Sequence, residues 1–370
     1  MPGHVLIAPD KFKGSLTAPG VAEAVADGLR RVDPGLPVRM APVADGGDGT
    51  VQAALASGYR RVPVRVGGPV GEPVDAEIAV DGDTAVVELA AASGLALLDP
   101  AALAPLTATS AGTGELIRAA LDEGARTIVL GVGGSACTDG GAGMLTALGA
   151  RLLAADGTEL APGGGALADL DLVDFAGLDP RVTEAEIILA SDVDNPLLGP
   201  KGAAHVYGPQ KGADPEQVEL LDAALARWAR AVSSGDVADR PGAGAAGGVG
   251  YAAMAVLGAR RRAGTDVVLD LVGFDRLLQG ARLVITGEGS LDEQTLHGKA
   301  PAGVASRAVA AGVPVVAVAG RCQLSPDRLR AAGFAAAYAL ADIEPDIERS
   351  MREGAALLGD LGERVAAEWL

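Results

Sequence analysis

Residues 127–143, TIVLGVGGSACTDGGAG, constrain the fold more than any other stretch of the chain. Apolar and small residues from Ile128 to Val132 run straight into Gly133, Gly134 and Ser135. Gly140, Gly141 and Gly143 then precede a helix-like run from Met144 to Leu153. The order predicts a buried strand, a tight loop and a helix. Glycines at such a strand end let a ligand approach the backbone, and a helix start presents unpaired N–H groups. Ser135, Thr138 and Asp139 add two hydroxyls and a carboxylate, suited to a phosphorylated ligand and its metal. A turn that only packs the strand on the helix uses the same residues, and glycine spacing alone is a weak signal.

Apolar runs of this kind recur, and composition says what they build. The chain has 370 residues, a length that suits two or three domains. Hydrophobic residues make up 49% and aromatics only 3%, so the core is Val, Leu, Ile and Ala, as in parallel sheets covered by helices. A net charge of −18 argues against nucleic acid or an anionic membrane as partner. It is no bar to a small anionic substrate in a basic pocket. Cys137 and Cys322 make neither a disulfide framework nor a zinc site, and a reduced, cytoplasmic protein is expected. No run of about 20 apolar residues exists to span a membrane. The first residues do not read as a signal peptide, because Asp10 interrupts a short apolar run.

The first sixty residues alternate. A strand over 5–8, a loop from Pro9 to Ser15 and a helix over 16–32 capped by Ser15 or Thr17 come first. A strand over 38–43, the loop DGGDGT and a helix over 51–56 follow. Polar residues concentrate after each strand, where open α/β sheets bind ligands. Short β-like runs at 61–66, 74–80 and 85–89, separated by Gly/Pro turns, then read as a meander. Helices are expected over 113–123, 215–232 and 265–278, and a strand over 187–190. Residues 161–178 show no clear pattern. From Arg282 the alternation resumes: strand 283–286, a Gly287–Ser290 loop, helix 301–311, strands 314–319 and 335–340, and a helical end over 343–370. The expected architecture is α/β: a Rossmann-like parallel-sheet domain built from both chain ends, 1–61 and 283–370. A second, different α/β domain over 62–282 is inserted in it, with a ligand held in the cleft between the two.

Six polar loops recur: Asp10 to Ser15, Asp45 to Thr50, Gly133 to Gly141, Ser191 to Asn195, Pro209 to Gly212 and Gly287 to Asp292. Together they supply carboxylates, lysines, hydroxyls and glycines beyond what turns require. Phosphoryl transfer uses this inventory, with amides and lysines on phosphate oxygens, carboxylates on Mg²⁺ and another carboxylate on the attacking hydroxyl. Blander readings stand beside it. Asp45 and Asp48 also suit a turn and a helix cap, Lys11 and Lys13 a solvated flank, and Asp192 and Asp194 a turn before Asn195 and Pro196. Lys299 equally suits a surface ion pair, and His4, His205 and His297 structural or peripheral places. The Walker pattern, the kinase H-R-D and D-F-G signatures, G-x-S-x-G and H-E-x-x-H are all missing from the sequence. The residues alone thus reach as far as a two-domain α/β enzyme acting on a phosphate ester.

Taken together, APDKFKGSLT (8–17), PVADGGDGT (42–50), GVGGSACTDGGAG (131–143), SDVDNPLLG (191–199), YGPQKG (207–212) and TGEGSLDEQT (286–295) resemble the glycerate kinase family of bacterial glyoxylate and sugar-acid catabolism. They match in order across nearly the whole chain, with Cys137 at a position that tolerates variation. The resemblance implies ATP-dependent phosphorylation of D-glycerate, usually to 2-phosphoglycerate, with Mg²⁺, on a fold of two unlike α/β domains. It implies catalytic roles for Asp192, Lys11 and Asp45, with Asp192 as the base, and metal binding by Asp45 and Asp48. Substrate and phosphate contacts fall to Asp10, Lys13, Ser15, Gly133, Gly134, Ser135, Thr138, Asp194, Asn195, Lys211, Gly287, Glu288, Gly289 and Ser290. Glycerate and ATP are the expected partners, with a homodimer left open. A kinase for another short hydroxy acid, 3-phosphorylation, a non-catalytic binding protein on the same fold and, more remotely, a dehydrogenase are the competing readings.

Overall fold

The computed structural model describes residues 3–370, apart from the side chain of His297. In chain order the strands are β1 (His4–Pro9), β2 (Val38–Met40), β3 (Arg60–Gly67), β4 (Pro73–Asp81), β5 (Thr84–Glu88), β6 (Thr127–Gly131), β7 (Arg151–Ala154), β8 (Leu170–Asp174), β9 (Glu186–Ala190), β10 (Arg260–Arg262), β11 (Ala281–Leu291), β12 (Val315–Cys322) and β13 (Ala336–Ala339). The chain divides into two compact units. One takes the chain up to Asp45, Gln52–Gly58 and Thr265–Leu370; the other takes Gly46–Val51 and Tyr59–Gly264. The class is α/β, as expected.

The first unit is a five-stranded sheet in the order β13-β12-β11-β1-β2, parallel throughout. Strand β1 shows why its sequence is apolar without alternation. Val5 and Ile7 enter one core cluster with the helices Ala18–Val32 and Gly354–Trp369, while Leu6 and Ala8 enter another with Ala300–Ala310. A strand covered on both faces has no solvent side to make polar. Thr17 caps Ala18–Val32 by accepting the Gly20 N–H at 3.2 Å. That helix and Gly354–Trp369 touch backbone to backbone. A Cβ on Gly28 would lie 2.0 Å from the Gly359 carbonyl oxygen.

The second unit carries a six-stranded sheet, β10-β9-β6-β5-β4-β3. Strands β5, β6, β9 and β10 are parallel, and β3, β4 and β5 form the expected antiparallel meander. The helix Pro215–Val232 starts on a capping box of Asp214 and Gln217. It buries Trp228, whose Nε1–H donates to the Gly140 carbonyl at 3.0 Å.

Several elements differ from the sequence reading. The run from Met144 to Leu153 is a short helix, Ala142–Ala147, then β7. Between them Gly149 takes φ +109°, where its Cβ position meets the Gly177 carbonyl at 2.1 Å. The unassigned 161–178 segment supplies β8, the antiparallel partner of β7. Gly287–Ser290 is no loop: it continues β11, paired with Val318–Arg321 of β12. Residues 265–278 are two helices, Gly264–Leu271 and Phe274–Leu278, separated at Gly273 with φ +63°. Strand β2 stops at Met40, and the chain end is two helices, Ile347–Arg352 and Gly354–Trp369. No helix among the described residues is long and apolar enough to cross a membrane.

Candidate active site

Counted within its own unit, the first sheet has strand order 2-1-3-4-5, so the order reverses between β1 and β11. Open α/β sheets bind ligands at the carboxyl ends of the strands beside such a reversal. A cavity of about 770 Å³ lies there. Its lining includes Asp10, Lys11, Lys13 and Ser15 after β1, Asp45 after β2, Glu288, Gly289 and Ser290 on β11, and Gly320 and Arg321 on β12. Eight predicted residues, distant in sequence, thus meet around one space. Gly287 lies just behind, with its carbonyl accepting the Asp10 N–H at 2.8 Å. A Cβ there would come within 2.0 Å of the Val318 carbonyl oxygen, so only glycine keeps β12 in place.

Burial and neighbouring charges set the proton affinities along this wall. Asp10 is only 8% exposed, and the Lys11 N–H donates to its Oδ1 at 2.6 Å. Burial pushes its pKa up to about 7. The Lys11 ammonium pulls it down, and the charge of Asp45 pushes it further up. Glu288 is also buried, which raises its pKa although Thr295 Oγ donates to it at 2.5 Å and Lys299 Nζ at 3.3 Å. Lys299 therefore belongs to the site, in a half-buried ion pair. Ser15 spends its hydroxyl on the Met351 carbonyl, at 2.7 Å. Lys13 is exposed. Arg321, which the sequence reading missed, donates from Nε to Ser290 Oγ at 3.0 Å.

The remaining predicted residues stand in the second unit: Asp48 on the segment after β2, Lys211 in a short helical turn, Pro209–Lys211, and the others on loops after β6 and β9. Gly133 packs on the segment that carries Asp48: its Cβ position is 2.7 Å from the Gly47 Cα and 3.4 Å from the Asp48 N. Asp48 is exposed. Glu88, at the end of β5, fixes that segment by accepting the Gly49 N–H at 3.0 Å and the Val51 N–H at 3.3 Å. It is the main omission of the sequence reading; an acid closing the apolar run TAVV was the available signal. Ser135 and Gly134 face the Ser93–Leu95 turn, with the Leu95 N–H donating to the Gly134 carbonyl at 2.8 Å. Lys211 is 2% exposed and donates to Ser135 Oγ at 2.8 Å and to the Cys137 carbonyl at 2.5 Å. Burial lowers its pKa. Asp139 accepts from Ser110 N and Oγ, both at 2.8 Å, and from Gly141 N and Gly143 N at 3.1 and 3.2 Å.

Thr138 is fully buried, and its hydroxyl has no hydrogen-bond partner among the described residues. Asp192, half-buried, accepts the Gly264 N–H at 2.8 Å. Asp194 pairs with Arg261 at 2.6 Å. Asn195 is tied to the Lys201 carbonyl at 2.8 Å and the Tyr207 hydroxyl at 2.6 Å.

Parallel α/β sheets with lysines, carboxylates and glycines gathered at their carboxyl ends define an enzyme acting on small charged molecules. The glycerate kinase family profile matches residues 5–370. A glycerate kinase of Bacillus subtilis (strain 168) is 45% identical, covering 98% of this chain and 97% of that protein. A glycerate 2-kinase of Escherichia coli (strain K12) is 47% identical over 85% of this chain and 84% of its own length. A crystal structure of a protein assigned as glycerate kinase 2 from Salmonella typhimurium LT2 superposes with a TM-score of 0.86 at 43% identity, covering 100% of this chain and 98% of that one. The chain belongs to the glycerate kinase family and is a kinase.

Proposed function

We propose that the chain transfers the γ-phosphoryl group of ATP to the 2-hydroxyl of D-glycerate, giving 2-phosphoglycerate and ADP. The observation that carries this reading is the first-unit cavity, where lysines for anionic oxygens and carboxylates for a cation line one space. The E. coli relative named for 2-phosphorylation supports the position. The hydroxyl oxygen attacks the γ-phosphorus, the bond to the β,γ-bridging oxygen breaks, and the hydroxyl proton passes to a carboxylate. Asp192 is proposed as that base, its Oδ1 oriented by the Gly264 N–H. Lys11 and Lys13 neutralise phosphate oxygens in that cavity, where Ser290 adds a polar side chain, since the main chain of Gly287–Ser290 is committed to the β11 pairing.

The donor set fits Mg²⁺. Asp10, Asp45 and Glu288 line the cavity, Asp48 is exposed nearby in sequence, and no imidazole or thiolate is among the lining residues. Mg²⁺ is held by one or two carboxylates together with waters and phosphate oxygens, so Asp45 with Asp48 or Asp10 would suffice. When bound it neutralises charge on the phosphates.

The test is ADP release with ATP, Mg²⁺ and D-glycerate, with the product identified by phosphorus NMR. A 2-phosphoglycerate resonance is expected. A 3-phosphoglycerate resonance overturns the position, and no turnover by folded protein overturns the substrate. Asp192→Asn should lower kcat by about 10²-fold or more, as loss of a general base does; near-normal turnover would remove that role.

A further inference from the structure

The lining of the first-unit cavity has two chemically distinct halves. One half is charged, with Lys11, Lys13, Lys299 and Arg321 interspersed with Asp10, Asp45 and Glu288. The other is apolar and comes from the chain end. Ile347 and Met351 project from the helix Ile347–Arg352 and are 69% and 44% exposed, with Pro345 beside them. Residues four apart share one helix face, so Ile347 and Met351 form a continuous patch. Large apolar side chains left in water beside a cationic loop mark a recognition surface. The helix is anchored to that loop, because Ser15 Oγ donates to the Met351 carbonyl at 2.7 Å and the Met351 Cε lies 3.1 Å from the Cβ position of Gly14.

Size adds a second argument. A cavity of about 770 Å³ falls within the range of about 300–1,000 Å³ that encloses drug-sized ligands. A three-carbon acid fills a small part of it and has no apolar surface for Ile347 and Met351. A purine nucleotide has both an aromatic face for an apolar, polarizable wall and a polyphosphate for the lysines and arginine. A cavity of about 110 Å³ in the second unit, lined by Thr109, Thr146, Arg151 and Leu160 among others, is too small for one.

We infer that the first-unit cavity is the nucleotide site, with the base on Ile347 and Met351 and the phosphates on Lys11, Lys13 and Arg321. The inference rests on the proposed kinase reaction for its choice of nucleotide, and goes beyond it by assigning the donor to one unit and a specificity role to the Ile347–Arg352 helix.

The experiment is photolabelling with 8-azido-ATP and Mg²⁺, with peptide mapping by mass spectrometry, beside steady-state kinetics of Ile347→Asp. Circular dichroism melts confirm that the variant folds, and Met351→Gln serves if it does not. Label is expected on residues 340–351 or 11–15, displaced by ATP and reduced in the variant. The ATP KM should rise about tenfold with the glycerate KM held within about twofold, the signature of losing one well-packed contact to the nucleotide alone. Label confined to residues 59–264, no specific label, or a glycerate KM that rises while the ATP KM stays fixed would each overturn the inference. If label falls on the cavity but glycerate is not phosphorylated, the substrate assignment fails and the nucleotide site stands.

Discussion

Asp10 and Lys211 are two of the buried charges at the candidate loops, and their environments make opposite predictions. The Asp10 carboxyl titrates near 7 in the folded chain against 3.8 as its ordinary value. Between those values the folded state binds more protons than the unfolded state, so this group's contribution to stability is full below about 4 and is lost as pH rises through 7. Asp10→Asn should therefore raise the urea midpoint at pH 8 and change it little at pH 4. The gain is at most about 4 kcal/mol, from about 1.4 kcal/mol per pKa unit. Equal effects at both pH values would mean that folding does not raise the pKa of this group. Lys211 is different, because its ammonium satisfies Ser135 Oγ and the Cys137 carbonyl deep in the second unit. Lys211→Met removes the donor and leaves both acceptors buried. It should destabilise by about 2–4 kcal/mol in urea unfolding.

At the scale of elements, close backbone approaches set the register. Gly287→Ala drives a Cβ onto the Val318 carbonyl at 2.0 Å, in the pairing of β11 with β12 that carries Glu288 and Ser290 into the cavity. Overpacking of that kind costs about 1–3 kcal/mol or more. A lower melting temperature together with a raised ATP KM is the expected result, and an unchanged KM would show that the strand shifts without moving the site. Gly28→Val tests packing alone. It separates Ala18–Val32 from Gly354–Trp369 at the Gly359 contact, and should lower the melting temperature while leaving KM values near those of the parent. Elements differ in how far local sequence reveals them. The apolar runs of β1, β6 and β9 were legible because buried parallel strands need little else. The Gly-Glu-Gly-Ser stretch at 287–290 was not. Its strand propensity is poor, and only pairing to β12 makes it a strand.

At the scale of the molecule, net charge governs the response to salt. A net charge of −18 repels itself in the folded state, and salt screens that repulsion. Raising NaCl from about 10 mM to about 150 mM shortens the Debye length from about 30 Å to about 8 Å. The thermal midpoint should rise over that interval, and a flat response would mean that the acids are balanced locally by the many arginine pairs on the surface.

The sequence by itself determined the α/β class, the family and most of the candidate residues, because apolar runs and ordered glycine-polar motifs are local signals. Tertiary structure decided which of those residues share a space. The 2-1-3-4-5 strand order brings Asp10–Ser15 to Glu288–Ser290 across more than two thirds of the chain, and no local spacing encodes that order. It also decided which charges face a ligand and which hold a loop. Lys13 and Lys211 look alike as lysines beside glycines, yet one is exposed and the other 2% exposed on two internal acceptors. Burial is a property of everything packed around a side chain, so it appears only when the chain has folded.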